Sequence, residues 1–96
     1  IKVRDTRHIV PGWVRDLMVA RAEETGIPYQ LDVMMLGATD GASIQLARAG
    51  VPTGGISIPA RQVHTRSETA LRGDIVAAVD LLVAVLANPI ERPAWV

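Results

Sequence analysis

Short β-prone runs alternate with helical stretches along this chain, and no other feature limits its possible folds as strongly. Ile1 to Arg4 is a strand-like run closed by the polar turn Asp5-Thr6-Arg7-His8. Pro11 suits the first turn of a helix, where its missing N–H costs nothing. Val14, Leu17, Met18 and Ala22 then recur at helical spacing until the stop signal Gly26-Ile27-Pro28. Tyr29 to Leu36 alternates as a strand, with Tyr29, Leu31, Val33 and Met35 on one face and Gln30, Asp32, Met34 and Leu36 on the other. Asp32 implies incomplete burial of the second face, and Met34 and Met35 read as core filler. Gly37 to Gly41 is a tight loop, followed by a short helix from Ala42 to Ala49 that ends at Gly50. Gly54-Gly55 leads into a third strand, Ile56-Ser57-Ile58, stopped by Pro59. After a polar loop from Arg61 to Glu68, Asp74 opens a helix with Ile75, Val76, Val79, Leu82, Val83 and Leu86 on its buried stripe, closed by Asn88-Pro89. The expected fold class is α/β, a βαβαβα unit with parallel strands and right-handed crossovers. Residues 1–88 form that unit, and 89–96 are a tail packed loosely on the surface.

Composition narrows what such a unit can be. Ten basic and ten acidic residues balance, so neither a chain-wide basic surface for nucleic acid nor an acidic disordered tail is present. The absence of Cys excludes disulfides, thiolate zinc sites and cysteine nucleophiles. The longest apolar run, Ile75 to Ala87, is broken by Asp80 and is too short for a bilayer. These features imply a soluble, cytoplasmic protein with no membrane or nucleic-acid partner. With no Phe, two Trp and one Tyr, the chain lacks the large anchors a small core normally uses. It also begins on a strand without an initiator Met, and the expectation is a piece of something longer that leans on a neighbouring layer.

If the strands are parallel, the loops after them share one edge of the sheet, where open α/β sheets bind ligands. Those loops hold Asp5, His8, Thr39, Asp40, Arg61, His64 and Glu68, whereas Gly26-Ile27-Pro28 and Gly50-Val51-Pro52 at the opposite edge carry no chemistry. Each residue also has a plainer role. His64 is a metal ligand, a general base or a surface histidine. Asp40 precedes a helix and suits an N-cap or an Asx turn. Arg61 pairs with a substrate carboxylate or is a solvated loop cation. Glu68, four residues beyond His64, orients that imidazole or lies exposed. His8 reads as a turn residue. Gly54-Gly55 lacks phosphate-loop spacing, and no Gly-x-Ser-x-Gly or His-Glu-x-x-His occurs. The chain alone is therefore expected to hold a partial site.

Gly37-Ala38-Thr39-Asp40, Gly50-Val51-Pro52-Thr53, Ile56 to His64 and Glu68, in that order and spacing, resemble the carboxy-terminal end of M42-family metallo-aminopeptidases, some of them labelled endoglucanases or deblocking aminopeptidases. Ile1 to Asp5 and Gly26 to Gln30 fit the same pattern, so the resemblance runs over roughly residues 1 to 88. The chain departs from the family's Gly-Gly-Thr-Asp-Ala at Ala38 and Gly41, and from Arg-Tyr-x-His-Ser at Gln62 and Thr65. The resemblance implies a larger three-layer α/β/α catalytic domain with two divalent metal ions, zinc or cobalt. His64 would be the last metal ligand, with the other ligands and the general-base Glu upstream, so no catalytic residue is expected in this segment. The Thr39-Asp40 loop would wall the cleft, and Arg61 would support the His64 loop. Peptide would be the substrate, a homo-oligomer the assembly, and no turnover is expected from these residues alone.

Two other readings fit the residues. One is a related M20-type co-catalytic metallopeptidase on a similar scaffold. The other is a non-catalytic α/β assembly or partner-binding module whose apolar area is an interaction surface.

Overall fold

A computed structural model describes residues 1–95. Strand β1 (Lys2–Arg4) leads to helix α1 (Gly12–Glu24), strand β2 (Asp32–Val33), the single-turn helix α2 (Gly41–Ile44), a hairpin of β3 (Ala60–Arg61) and β4 (Thr69–Ala70), and helix α3 (Arg72–Leu86). β1 and β2 pair in parallel with Lys2 opposite Asp32. The βαβ beginning of the expected unit is present, and with it the α/β class.

The third strand is not. Ile56 to Ile58 runs beside β1, but the Lys2 N–H bonds to the carbonyl of Gly55 at 2.9 Å and no ladder extends along Ile56 to Ile58. Pro59, with no N–H to donate, follows directly. A short antiparallel hairpin, β3 with β4, occupies the edges of what reads as a polar loop in the sequence. β2 is also shorter than the alternation from Tyr29 to Leu36 suggests, because its described ladder has a partner only in β1. α2 stops at Ile44, after which turns carry the chain to Gly50.

The core lies between α1 and α3. Met18 and Ala22 of α1 meet Leu81 and Val85 of α3, with Ile1 beneath them. Gly54 touches α1 so closely that a Cβ there would lie 2.9 Å from both Met18 Sδ and Val14 Cγ1, which holds the 54–56 segment against the helix. α1 buries the face its spacing predicts. α3 does not: the stripe expected to be buried is exposed, from 43% at Ile75 to 66% at Leu86. α3 is apolar around most of its circumference and so offers two candidate faces; the one turned to α1 carries Leu81 and Val85, with Ala77 and Ala78 half-buried beside them. β2 shows the same pattern. Leu31, Val33 and Met35 are exposed, Met35 at 78%, so Met35 is not core filler in this structure. Asp32, by contrast, is half-buried, as its place on a strand face suggests. In the tail, Ile90 and Trp95 are exposed; Val96 lies outside the described residues. No helix among the described residues is long and apolar enough to cross a membrane.

Candidate functional site

Parallel pairing places the ends of β1 and β2 side by side, and the two loops beyond them are stitched together by one carboxylate. Asp5 is 1% exposed. Its Oδ1 accepts the Arg7 N–H at 2.9 Å, and its Oδ2 accepts both the N–H of Thr39 at 3.2 Å and the Thr39 hydroxyl at 3.0 Å. Thr6 completes the seam, donating from its N–H at 3.1 Å and its hydroxyl at 2.7 Å to the carbonyl of Gly37. The Arg7 N–H is the main reason the Asp5 carboxyl sits below the usual aspartate range; burial opposes it and Thr39 reinforces it. Thr39 is thus a loop-to-loop tie.

Beside this seam lies a cleft of about 310 Å³ bounded by Lys2, His8, Thr39, Asp40, Gly41 and Ser57. Lys2 is buried, and its ammonium reaches Asp32 Oδ2 at 3.1 Å, which also accepts the Ser57 hydroxyl at 3.0 Å. Burial works against the Asp32 charge, but Lys2 and Ser57 together outweigh it and hold that carboxyl below its ordinary range. Asp40 stands at the N-cap of α2, where its carbonyl accepts the N–H groups of Ser43 and Ile44; its side chain makes no capping bond. The expected capping role therefore belongs to the Asp40 backbone alone.

His8 is 3% exposed and is a buried packing element with no hydrogen bond to either ring nitrogen. A Cβ at position 41 would lie 2.9 Å from His8 Nδ1. That contact accounts for Gly41: with His8 in this place, alanine does not fit without a shift of the ring or the loop. Sequence reasoning singled out neither Lys2 nor Ser57. The available signal was a lysine within an apolar strand run, opposite an aspartate in the next strand.

The third loop stands apart. Arg61, His64 and Glu68 occupy the β3–β4 hairpin, are all exposed, and make no hydrogen bond to the other two loops among the described residues. The backbone at Gln62 and His64 is left-handed, with φ of +56° and +64°. For residues other than glycine this costs on the order of 1 kcal/mol each. Thr65 braces the turn: its hydroxyl donates to the Gln62 carbonyl at 2.6 Å and accepts the Ser67 N–H at 3.3 Å. A hydroxyl is what that position uses, and serine or threonine would supply it. Glu68 accepts a hydrogen bond from the backbone N–H of His64. Of the two readings of Glu68, exposure is what the structure shows; its contact is with the His64 main chain, and no hydrogen bond to the His64 ring occurs among the described residues.

As a metal centre the arrangement is incomplete. No group of three or more His, Asp or Glu side chains that could hold a metal ion occurs among the described residues. His64, an exposed imidazole on a braced loop, is the kind of side chain that supplies one ligand of a larger set.

The chain belongs to the M42 glutamyl aminopeptidase family, whose model matches residues 1–81. M42 peptidases are metallopeptidases. A relative from Acetivibrio thermocellus named "Putative aminopeptidase" is 47% identical over 83 residues. The match covers 86% of this chain but 25% of that relative, so the chain spans about a quarter of the relative's length.

Proposed function

We propose that these residues are the carboxy-terminal part of the catalytic domain of a dinuclear-metal aminopeptidase that removes the N-terminal residue of peptides. The single observation that carries the reading is the match to the M42 family over residues 1–81. The braced hairpin with its unencumbered imidazole agrees with it. His64 is one metal ligand, and the remaining ligands and the general-base Glu lie in the rest of the polypeptide. When bound, two zinc or cobalt ions would polarise the scissile carbonyl and lower the pKa of the attacking water. The residues here contribute position. Asp5 and Thr39 hold the cleft wall that carries Asp40, and Arg61 sits at the base of the His64 loop.

The larger domain has a three-layer α/β/α form in this reading, with further layers over the exposed faces of β2 and α3. Residues 1–88 belong to it and 89–96 are its tail. A cytoplasmic homo-oligomer is the expected state, and the isolated 96 residues have no turnover. His64→Ala in the full-length polypeptide is expected to weaken zinc retention by roughly a hundredfold or more and to abolish most aminopeptidase turnover. Undiminished zinc binding and turnover in that variant would refute the ligand assignment.

A further inference from the structure

We propose that Glu68 is the positioning residue of the metal-ligand loop, and that it acts on the main chain of His64 rather than on its ring. This inference rests on the reading of His64 as a ligand and adds how the ligand is aimed. His64 adopts φ of +64°, a conformation that a residue with a Cβ leaves unless something holds it. The hairpin supplies the hold in sequence order. Arg61 faces Thr69 across the β3–β4 ladder, which closes a loop of residues 62–68 and brings Glu68 back beside the turn. From there its Oε1 accepts the His64 N–H. The Thr65 hydroxyl, between the Gln62 carbonyl and the Ser67 N–H, braces the same turn from within.

An acceptor on the backbone does what one on the ring could not. A carboxylate bound to the imidazole fixes a tautomer but leaves the main chain free to relax to negative φ, which would swing the ring away. A carboxylate bound to the N–H pins the peptide plane that leads into His64. With the Thr65 brace holding the chain beyond it, both ends of the residue are fixed, φ cannot relax while the hairpin is closed, and both ring nitrogens stay open. The charge strengthens the bond, since a carboxylate is a better acceptor than a neutral oxygen. Geometry is what the role requires, however, so an amide oxygen at the same place should largely substitute.

Glu68→Ala and Glu68→Gln separate these possibilities in the full-length polypeptide, each read twice. In metal-free protein, residue-level hydrogen exchange at the His64 amide should quicken roughly tenfold or more in Glu68→Ala and stay within about threefold of wild type in Glu68→Gln. Zinc affinity by chelator competition should fall about 10- to 100-fold in the alanine variant, and far less in the glutamine variant. Unchanged exchange in Glu68→Ala overturns the proposal, as does a glutamine variant that behaves like alanine. Faster exchange with wild-type zinc affinity also overturns it, provided His64→Ala lowers that affinity. Should His64→Ala leave zinc binding intact, the ligand reading fails and takes the positioning role with it, and the exchange data still show whether Glu68 holds the loop.

Discussion

The seam between the β1 and β2 loops and the hairpin that carries His64 are two answers to the same problem, the fixing of a polar loop. At the seam, a buried carboxylate reaches across 34 residues of sequence to take the N–H and hydroxyl of Thr39. In the hairpin, an exposed carboxylate reaches back four residues to the N–H of His64. The seam is fixed by the fold and cannot form without β1 and β2 side by side. The hairpin is fixed by itself. A wall for a cleft needs the first kind of support, because its position relative to the sheet is what matters. For His64 in its proposed role as a ligand completed by groups elsewhere, the second kind suffices, because the local geometry is preset wherever the hairpin is docked.

The contrast breaks first at Asp5. Asp5→Ala strips the Thr39 and Arg7 donors of their acceptor and should lower Tm by about 5 °C or more, whereas Glu68→Ala should leave Tm nearly unchanged. Acid should reveal the same asymmetry. The Asp5 and Asp32 carboxyls are both held below their ordinary range in the folded chain. Their stabilisation is therefore complete above the unfolded aspartate value of about 3.9 and is lost as pH falls through the depressed folded values. A denaturation profile followed from neutral pH into that range should steepen at the acid end, and Asp5→Asn should flatten it. A smaller effect is expected where His8 meets Gly41. Gly41→Ala should cost roughly 1–2 kcal/mol in denaturant unfolding. Adding His8→Val should recover about 1 kcal/mol of that through their coupling. Strict additivity of the two substitutions would mean that the close contact does not explain the glycine.

Much of this arrangement was legible in the residues, and the failures have physical causes. α1 was readable because polar Arg15, Asp16, Glu23 and Glu24 contrast with the Val14, Leu17, Met18, Ala22 stripe. In α3 almost nothing polar marks a face, so periodicity could not separate the Ala77-Ala78-Leu81-Val85 side from the bulkier Ile75-Val79-Leu82-Leu86 side. Alternation from Tyr29 to Leu36 and the β-branched Ile56 to Ile58 describe side chains suited to a sheet, but a strand also needs a partner backbone, and the described residues provide one only briefly. The candidate site divides in the same way. The meeting of Asp5 with Thr39 followed from parallel strand order. The burial of His8 and Lys2 did not, because neither residue type announces an apolar setting. Spacing puts Glu68 near His64, but its grip on the His64 N–H depends on the hairpin closing, which the residues alone do not show.

The proposed ligation of metal by His64 in the full-length polypeptide is open to direct observation. Anomalous diffraction at the zinc edge from zinc-loaded crystals of that polypeptide tests it most directly. The expected result is a zinc peak about 2.1 Å from a ring nitrogen of His64, the normal zinc–imidazole distance, with its other ligands supplied by residues outside this segment. Zinc bound elsewhere, with the His64 ring beyond coordinating distance, would contradict it.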